Sequence, residues 1–185
     1  YIAHAPSEVV RTFEHMLDTA NLELNAMVVQ PLASGLGVLH PSDLERGAIV
    51  VDIGHGITSI AYFVEGSLAY LDTLPVGSGH VTGDIKYLLK TSTAEADRLK
   101  HHYAAAVAAK VGDDSQVEVL QEGMDTPRPM QRRVFCEIVE SRMREIARLS
   151  KESIEKSGYN TMTGSGVLVT GGGSMMPYIE VLFAE

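Results

Sequence analysis

The order of apolar runs predicts an α/β fold in which a mixed sheet carries a mainly helical insertion. Three features lead there. Gly47–Ile53, Ser59–Phe63 and Ser67–Leu74 are rich in β-branched and aromatic residues and are separated by short glycine-containing turns. Residues 83–157 lose that character and take up helical spacing. Val167–Thr170 then restores an apolar strand and runs into three successive glycines.

Ser7 is read as the N-cap of a helix reaching about Asn21, because Val10, Phe13, Met16, Leu17 and Ala20 share one face. Residues 26–29 read as a short buried strand. Pro31 opens a helix of small residues, Leu32 to Leu39, and Pro41-Ser-Asp closes it as a loop. After the three strands, Val81–Leu89 is helical. Thr91-Ser-Thr-Ala-Glu caps a helix expected to reach about Ala109. Residues 110–128 are polar, with a small strand expected at Val117–Leu120. The longest helix spans about Met130 to Lys156 on a stripe of Val134, Ile138, Met143, Ile146 and Leu149, and Gly158 ends it. A final helix begins near Met176-Pro177.

Composition removes several functional classes. Lys plus Arg number 15 against 24 Asp plus Glu, a net charge of −9, and no basic stripe exists to meet a phosphate backbone, so no nucleic-acid partner is expected. With 45% hydrophobic residues the chain has material for a core. Cys136 is the single cysteine, which excludes a disulfide framework and a cysteine metal site. No apolar run reaches the roughly 18 residues of a membrane span. Tyr1 in place of an initiator Met, and an apolar run that reaches Glu185 uncapped, lead us to expect a piece of a longer soluble, cytosolic protein.

Two turns have phosphate-binding chemistry. One strand ends in Asp52 and runs into Gly54 and Gly56; another ends in Thr170 and runs into Gly171, Gly172 and Gly173. Glycine lets backbone N–H groups approach an anion with no Cβ between, and a carboxylate at a strand's C-terminal end suits a hydrated Mg²⁺. The plainer alternative is a pair of tight turns with Asp52 capping local backbone. A dinucleotide fold is excluded because residues 58–70 are β-rich, whereas that fold needs a helix directly after Gly54-x-Gly56. Cys136 reads as a small buried apolar residue, His101 and His102 as helix-surface residues, and the alternating Arg and Glu of the long helix as a solvated face.

The segments GAIVVDIGHGITSIAYFVEGSL, PVGSGHVTGDIKYLL, TAEADRLKHHY and GVLVTGGGSMMP, in this order, resemble the second half of an actin-like ATPase, a ribonuclease H-like fold, and within that superfamily the FtsA family of bacterial cell division. The resemblance implies three regions. Residues 1–45 would end the first large domain and include the helix crossing between domains. Residues 46–82 and 158–185 would form the nucleotide-binding sheet subdomain, and 83–157 an inserted helical subdomain. It also implies ATP and Mg²⁺ as cofactors. Asp52, Gly54, His55 and Gly56 match the second phosphate loop, with Asp52 toward the metal. Gly77 and Gly79 match a turn facing the cleft. Asp97 and Lys100 stand where relatives set a Glu and a Lys against the adenosine, with a surface ion pair as the plain alternative. Gly171, Gly172 and Gly173 match the adenosine motif.

Three positions depart from the pattern. His55 stands for a Gly, Ile57 for a Thr and Ser59 for an Asp; Ile57 has no hydroxyl to offer a phosphate. Thr58 carries the nearest hydroxyl, but strand alternation turns it to the opposite face. The resemblance implies at most a weak ATPase that self-assembles and receives the acidic C-terminal peptide of FtsZ on residues 83–157. It implies a position at the inner face of the cell membrane at the division site, with membrane contact only through sequence outside this chain. An adaptor like PilM of pilus assembly, and a sugar kinase or phosphatase of the same superfamily, are the alternatives.

Overall fold

The computed structural model describes residues 5–112, 114–159 and 164–184. Its elements are α1 (Ser7–Thr19), α2 (Gln30–Val38), α3 (Pro41–Arg46), β1 (Ala48–Ile53), β2 (Thr58–Val64), β3 (Ser67–Leu74), α4 (Ser78–Leu89), α5 (Thr93–Tyr103), β4 (Gln116–Val119), β5 (Arg128–Gln131), α6 (Arg132–Ser157), β6 (Val167–Thr170) and α7 (Ile179–Phe183). Short 3₁₀ turns occupy Ala108–Lys110 and Gly172–Met175.

The main sheet has the order β3-β2-β1-β6. β1, β2 and β3 form the expected meander, Ile53 pairing with Thr58 and Thr58 with Leu74. β6 returns from the insertion and pairs with β1 in parallel, setting Thr170 beside Asp52. The sheet is therefore mixed, with α4, α5, β4, β5 and α6 inserted before its last strand.

β1 is buried along its whole length, which is why it reads as an unbroken apolar run rather than an alternating one. Alternate residues face two cores. Ala48, Val50, Ala61 and Phe63 pack with Leu32 of α2, Leu39 just after it and Leu44 of α3. Ile49, Val51, Ile53, Ile60 and Tyr62 pack toward α4, α5 and α6 through Val81, Ile85, Leu99, Phe135, Val139 and Met143. Burying each aliphatic or Phe side chain contributes about 1.5–3 kcal/mol.

Several local expectations are corrected. α1 has Pro6 at its N-cap, and no side chain caps it. Residues 26–29 form no strand: they pair with neither sheet, and most stay exposed. Pro41–Arg46 is a helix, not a loop, because His40 and Asp43 build a reciprocal cap and Pro41 supplies the preset φ of a first helical residue. α5 stops at Tyr103, where Ala104 turns extended, and the alanines beyond it enter the core as irregular backbone. Val117 does lie in a strand, but that strand pairs with Arg128–Gln131, so α6 starts at Arg132. The glycine run after β6 leads into a 3₁₀ turn, and α7 starts only at Ile179.

Candidate functional site

The site lies where β1 and β6 end side by side. Asp52, almost wholly buried, is held from α2: Ser34 Oγ donates to its Oδ2 at 2.6 Å and Gln30 Nε2 at 3.1 Å. Its Oδ1 faces Gly171, whose φ of +85° and lack of a Cβ allow that approach; a side chain there would collide with the carboxylate. The two glycine turns therefore meet at Asp52.

The β1–β2 turn is fixed by α4. Gly54 N–H donates to Ile57 O at 2.9 Å. Ser78 N–H donates to Gly54 O at 2.8 Å and Gly79 N–H to His55 O at 2.7 Å, so the first turn of α4 satisfies the loop's carbonyls and its own orphan donors together. A Cβ on Gly77 would come within 2.6 Å of both carbonyl oxygens, and one on Gly79 within 2.5 Å of the His55 ring. Gly77 and Gly79 are thus packing positions against the loop. Gly56 and Gly172 differ, since a Cβ on either meets nothing within 4 Å. Thr58 is buried and donates to Val76 O at 2.8 Å, so its hydroxyl is committed, while Ile57 is exposed.

A cavity of about 380 Å³ opens beside this junction. His55, Ser78, Gly172 and Gly173 line it with Lys100, His101 and His102 from α5, Arg132 from α6, and Met175 to Pro177. Of the residues singled out in the sequence, His55, Lys100, Gly172 and Gly173 line this cavity. Asp52, Gly54, Gly77, Gly79 and Gly171 build the floor and loop behind it, and Gly56 stands at the open turn.

Asp97 sits behind Lys100. The two pair at 3.0 Å, and Lys100 Nζ also donates to Thr82 Oγ1 at 2.8 Å. The Lys100 ammonium is the main cause holding the Asp97 carboxyl below its usual range. Lys100 is only 10% exposed while Asp97 is almost half exposed, so the pair is buried on its lysine side and open on its carboxylate side. Cys136 is buried, its thiol donating to Tyr103 O at 3.4 Å, and burial pushes its pKa up.

Gln30, Ser34 and Arg132 are the residues that the sequence reading missed. Gln30 and Ser34 lie four apart on α2, one helical turn, which is the signal that would pair them; nothing local pointed that turn at Asp52. Arg132 donates through Nε to Tyr103 O at 2.9 Å, a contact across two helices that spacing cannot reveal.

The residues fit a nucleotide with its metal. Open glycine backbone at Gly56 and Gly172 suits phosphate oxygens, and the basic α5 end suits an anion. Among the described residues no cluster of three His, Cys, Asp or Glu exists. Mg²⁺ keeps several waters and takes one or two carboxylates beside phosphate oxygens, so Asp52, its Oδ2 held by Ser34 Oγ and Gln30 Nε2, suits that role. Among the described residues no helix is long and apolar enough to cross a membrane.

Comparison with known proteins agrees with this architecture. MreB5 of Spiroplasma citri bound to ADP superposes with a TM-score of 0.78 at 17% identity, over 98% of this chain and 58% of that one. A chain of the PilM-PilN type IV pilus biogenesis complex gives 0.70 at 16%, over 97% and 46%. At such identities the likeness is one of fold, and the fold is that of the actin-like ATPases. The cell division protein FtsA of Pseudomonas aeruginosa is 34% identical over 166 residues, covering 90% of this chain and 40% of that protein. The chain spans less than half the length of the curated relatives it matches. The family profile described as cell division protein FtsA matches residues 49–185, from β1 through the second glycine turn and on to Glu185. Family and fold thus converge on the same elements, and this chain belongs to the FtsA family of actin-like cell division proteins.

Proposed function

We propose that this chain is the nucleotide-holding half of an ATP-binding protein that self-assembles and links FtsZ filaments to the inner face of the cell membrane at the division site. The observation that carries the nucleotide reading is the convergence of both glycine turns on Asp52 beside a cavity with a basic wall. Gly54, His55, Gly56 and Gly172 would take the phosphates. Lys100, supported by Asp97, and Gly173 would lie along the adenosine. Asp52, steadied by Gln30 and Ser34, would hold the waters of Mg²⁺, and Gly77, Gly79 and Gly171 would keep the loops close enough to do so. The metal would neutralise phosphate charge. Catalysis is at most weak, since Ile57 and the committed Thr58 leave this loop without a free hydroxyl.

We divide the chain into residues 1–45, the end of the first large domain with α2 as the crossing helix; 46–82 with 158–185, the sheet subdomain; and 83–157, the helical subdomain. The helical subdomain is the proposed seat of the acidic FtsZ C-terminal peptide, a segment suited to an arginine-bearing helix. Membrane contact is assigned to sequence outside this chain. Bound nucleotide would favour one cleft conformation and so license polymer contacts. The FtsA family match supports this reading over a PilM-like adaptor.

Calorimetry of Mg-ATP binding to the full-length protein tests the cleft. Asp52→Ala and Gly172→Val should each weaken binding at least about tenfold, the second by steric exclusion alone because Gly172 faces open space. Equal affinity in all three proteins would reject the site.

A further inference from the structure

The helical insertion ends in a tip that the described residues leave uncovered. Residues 120–127 turn between β4 and β5, and Leu120 and Met124 stand 42% and 45% exposed there. Glu122 and Asp125 are exposed beside them, and the turn contains no Lys or Arg. The tip is nevertheless held in shape. Glu122 N–H donates to Lys90 O at 2.8 Å, Gln121 Nε2 to Leu89 O at 3.0 Å, and Thr91 Oγ1 to Leu120 O at 2.5 Å. A preformed turn with two apolar side chains in water loses little freedom when a partner covers it.

A cavity of about 420 Å³ between the second half of α6 and α7 has the complementary chemistry. Ile154, Leu182 and Phe183 give it an apolar floor. The exposed Arg144, Arg148 and Lys151 line its mouth, and no carboxylate lines it. Arg144 and Arg148 also bond to Glu140 and Glu152 along α6, whereas Lys151 forms no ion pair with a described residue. Inside, Ser150 is 1% exposed and its Oγ has no hydrogen-bond partner among the described residues. An orphaned buried hydroxyl favours any partner that brings it a polar group.

The position of each along α6 decides whose tip can enter. Leu88, near the end of α4 that carries the tip, shares a cleft with Ile138. Ser150 lies further along the same helix, roughly 18 Å away at the rise of an α-helix. β6 runs parallel to β1, so Val167 at the cavity's edge marks the end of the sheet away from the glycine turns. Tip and cavity therefore lie at opposite ends, and a chain cannot fill its own cavity. Two copies that meet tip to cavity leave one tip and one cavity unused. Such a heterologous contact repeats along a filament unless its rotation closes a ring.

We propose that the tip at Leu120–Asp125 of one copy docks in the cavity between α6 and α7 of the next. Leu120 and Met124 meet the apolar floor, and Glu122 and Asp125 face Arg148 and Lys151. Gly123 has nothing near its missing Cβ, so its backbone is bare to meet Ser150. The inference rests on the self-assembly reading above and names the two surfaces that reading needs.

The test is sedimentation velocity of the full-length protein with Mg-ATP, for the wild type and three variants. One variant reverses the tip (Glu122→Lys with Asp125→Lys), one reverses the cavity mouth (Arg148→Glu with Lys151→Glu), and one carries all four changes. All four side chains are exposed, so the fold should survive. The concentration of half-assembly should rise at least about tenfold in the tip and cavity variants. It should return to within about threefold of wild type when all four changes share a chain, a recovery that mere destabilisation does not give.

Reversed chains that assemble as well as the wild type would overturn these surfaces and leave self-assembly standing. Loss in both without recovery in the four-change chain would overturn the pairing of tip with cavity. A cavity variant whose thermal midpoint falls by several degrees would give the cavity to another part of its own chain, which also overturns the docking. A wild type that stays monomeric at every concentration would overturn self-assembly itself.

Discussion

Gly77 and Gly172 are both glycines of the cleft, yet a methyl group added to each meets opposite surroundings. At Gly77 it meets two backbone carbonyl oxygens at 2.6 Å, neither of which can rotate away. At Gly172 it meets nothing within 4 Å. Gly77→Ala should therefore cost about 1–3 kcal/mol of folding stability, as overpacking typically does, and lower the thermal midpoint of the full-length protein by several degrees. Gly172→Ala should leave that midpoint within about one degree. A midpoint unchanged in Gly77→Ala would mean that the loop and α4 separate easily, contrary to the hydrogen bonds that Ser78 and Gly79 make to it. The sequence marks both positions as glycines of nucleotide turns and cannot separate them, because what distinguishes them is the neighbour brought in from a different segment. His55 shows the same limit. As a residue type it departs from the family's glycine; only the fold shows that Gly79 gives its ring room.

Among the elements, the strands were the most legible from sequence and the short connections the least. β1 and β2 announce themselves because they are buried apolar runs bounded by glycine, in the covered middle of the sheet, while β3 and β6 at its edges are apolar enough to read as strands although partly exposed. α3 was hidden by its proline and polar residues, although His40 and Asp43 carry a complete cap. β5 was hidden by Pro129, tolerable because a two-stranded hairpin has only edges.

The α4–α5 contact, where Lys100 bridges Asp97 and Thr82, yields a prediction in pH. Asp97 has its pKa lowered in the folded state, so its pairing stabilises the fold fully above the unfolded carboxylate range. That contribution is lost as pH falls through the lowered folded value. Lys100→Met should thus reduce the midpoint at pH 7, with the gap to wild type narrowing as pH falls below about 4. Asp97 is almost half exposed and the gap will be small, but its direction is fixed. A gap that stays constant in acid would assign the effect to lost lysine packing instead of the ion pair.

At the scale of the whole molecule, the sheet and the helical insertion share one apolar core, and polar contacts tie them at its two ends. At one end the first turn of α4 grips the glycine loop through Ser78 and Gly79. At the other, Ser153 near the end of α6 donates to Asp72 on β3 at 2.5 Å. Between them Asp84 on α4 takes a bidentate contact from Arg142 on α6, at 2.7 and 2.9 Å, so a displacement of α4 is passed to the long helix rather than absorbed. On the proposed reading, a ligand that orders the loop would also order α4, and one filling the cavity would lie against Lys100 of α5 and Arg132 of α6. Hydrogen exchange of the full-length protein with and without Mg-ATP follows this path residue by residue. Nucleotide should slow exchange about tenfold or more at the amides of residues 78–82 and 100–104, and leave Gly66, in the turn between β2 and β3, unchanged, because its amide is bonded to Leu44 O of α3 and not to α4. Protection confined to residues 54–57 would show that the loop closes on its ligand while α4 stays indifferent. In that case the hydrogen bonds from Ser78 and Gly79 would be a passive seat, and nucleotide state could not reach the helical face proposed to receive FtsZ.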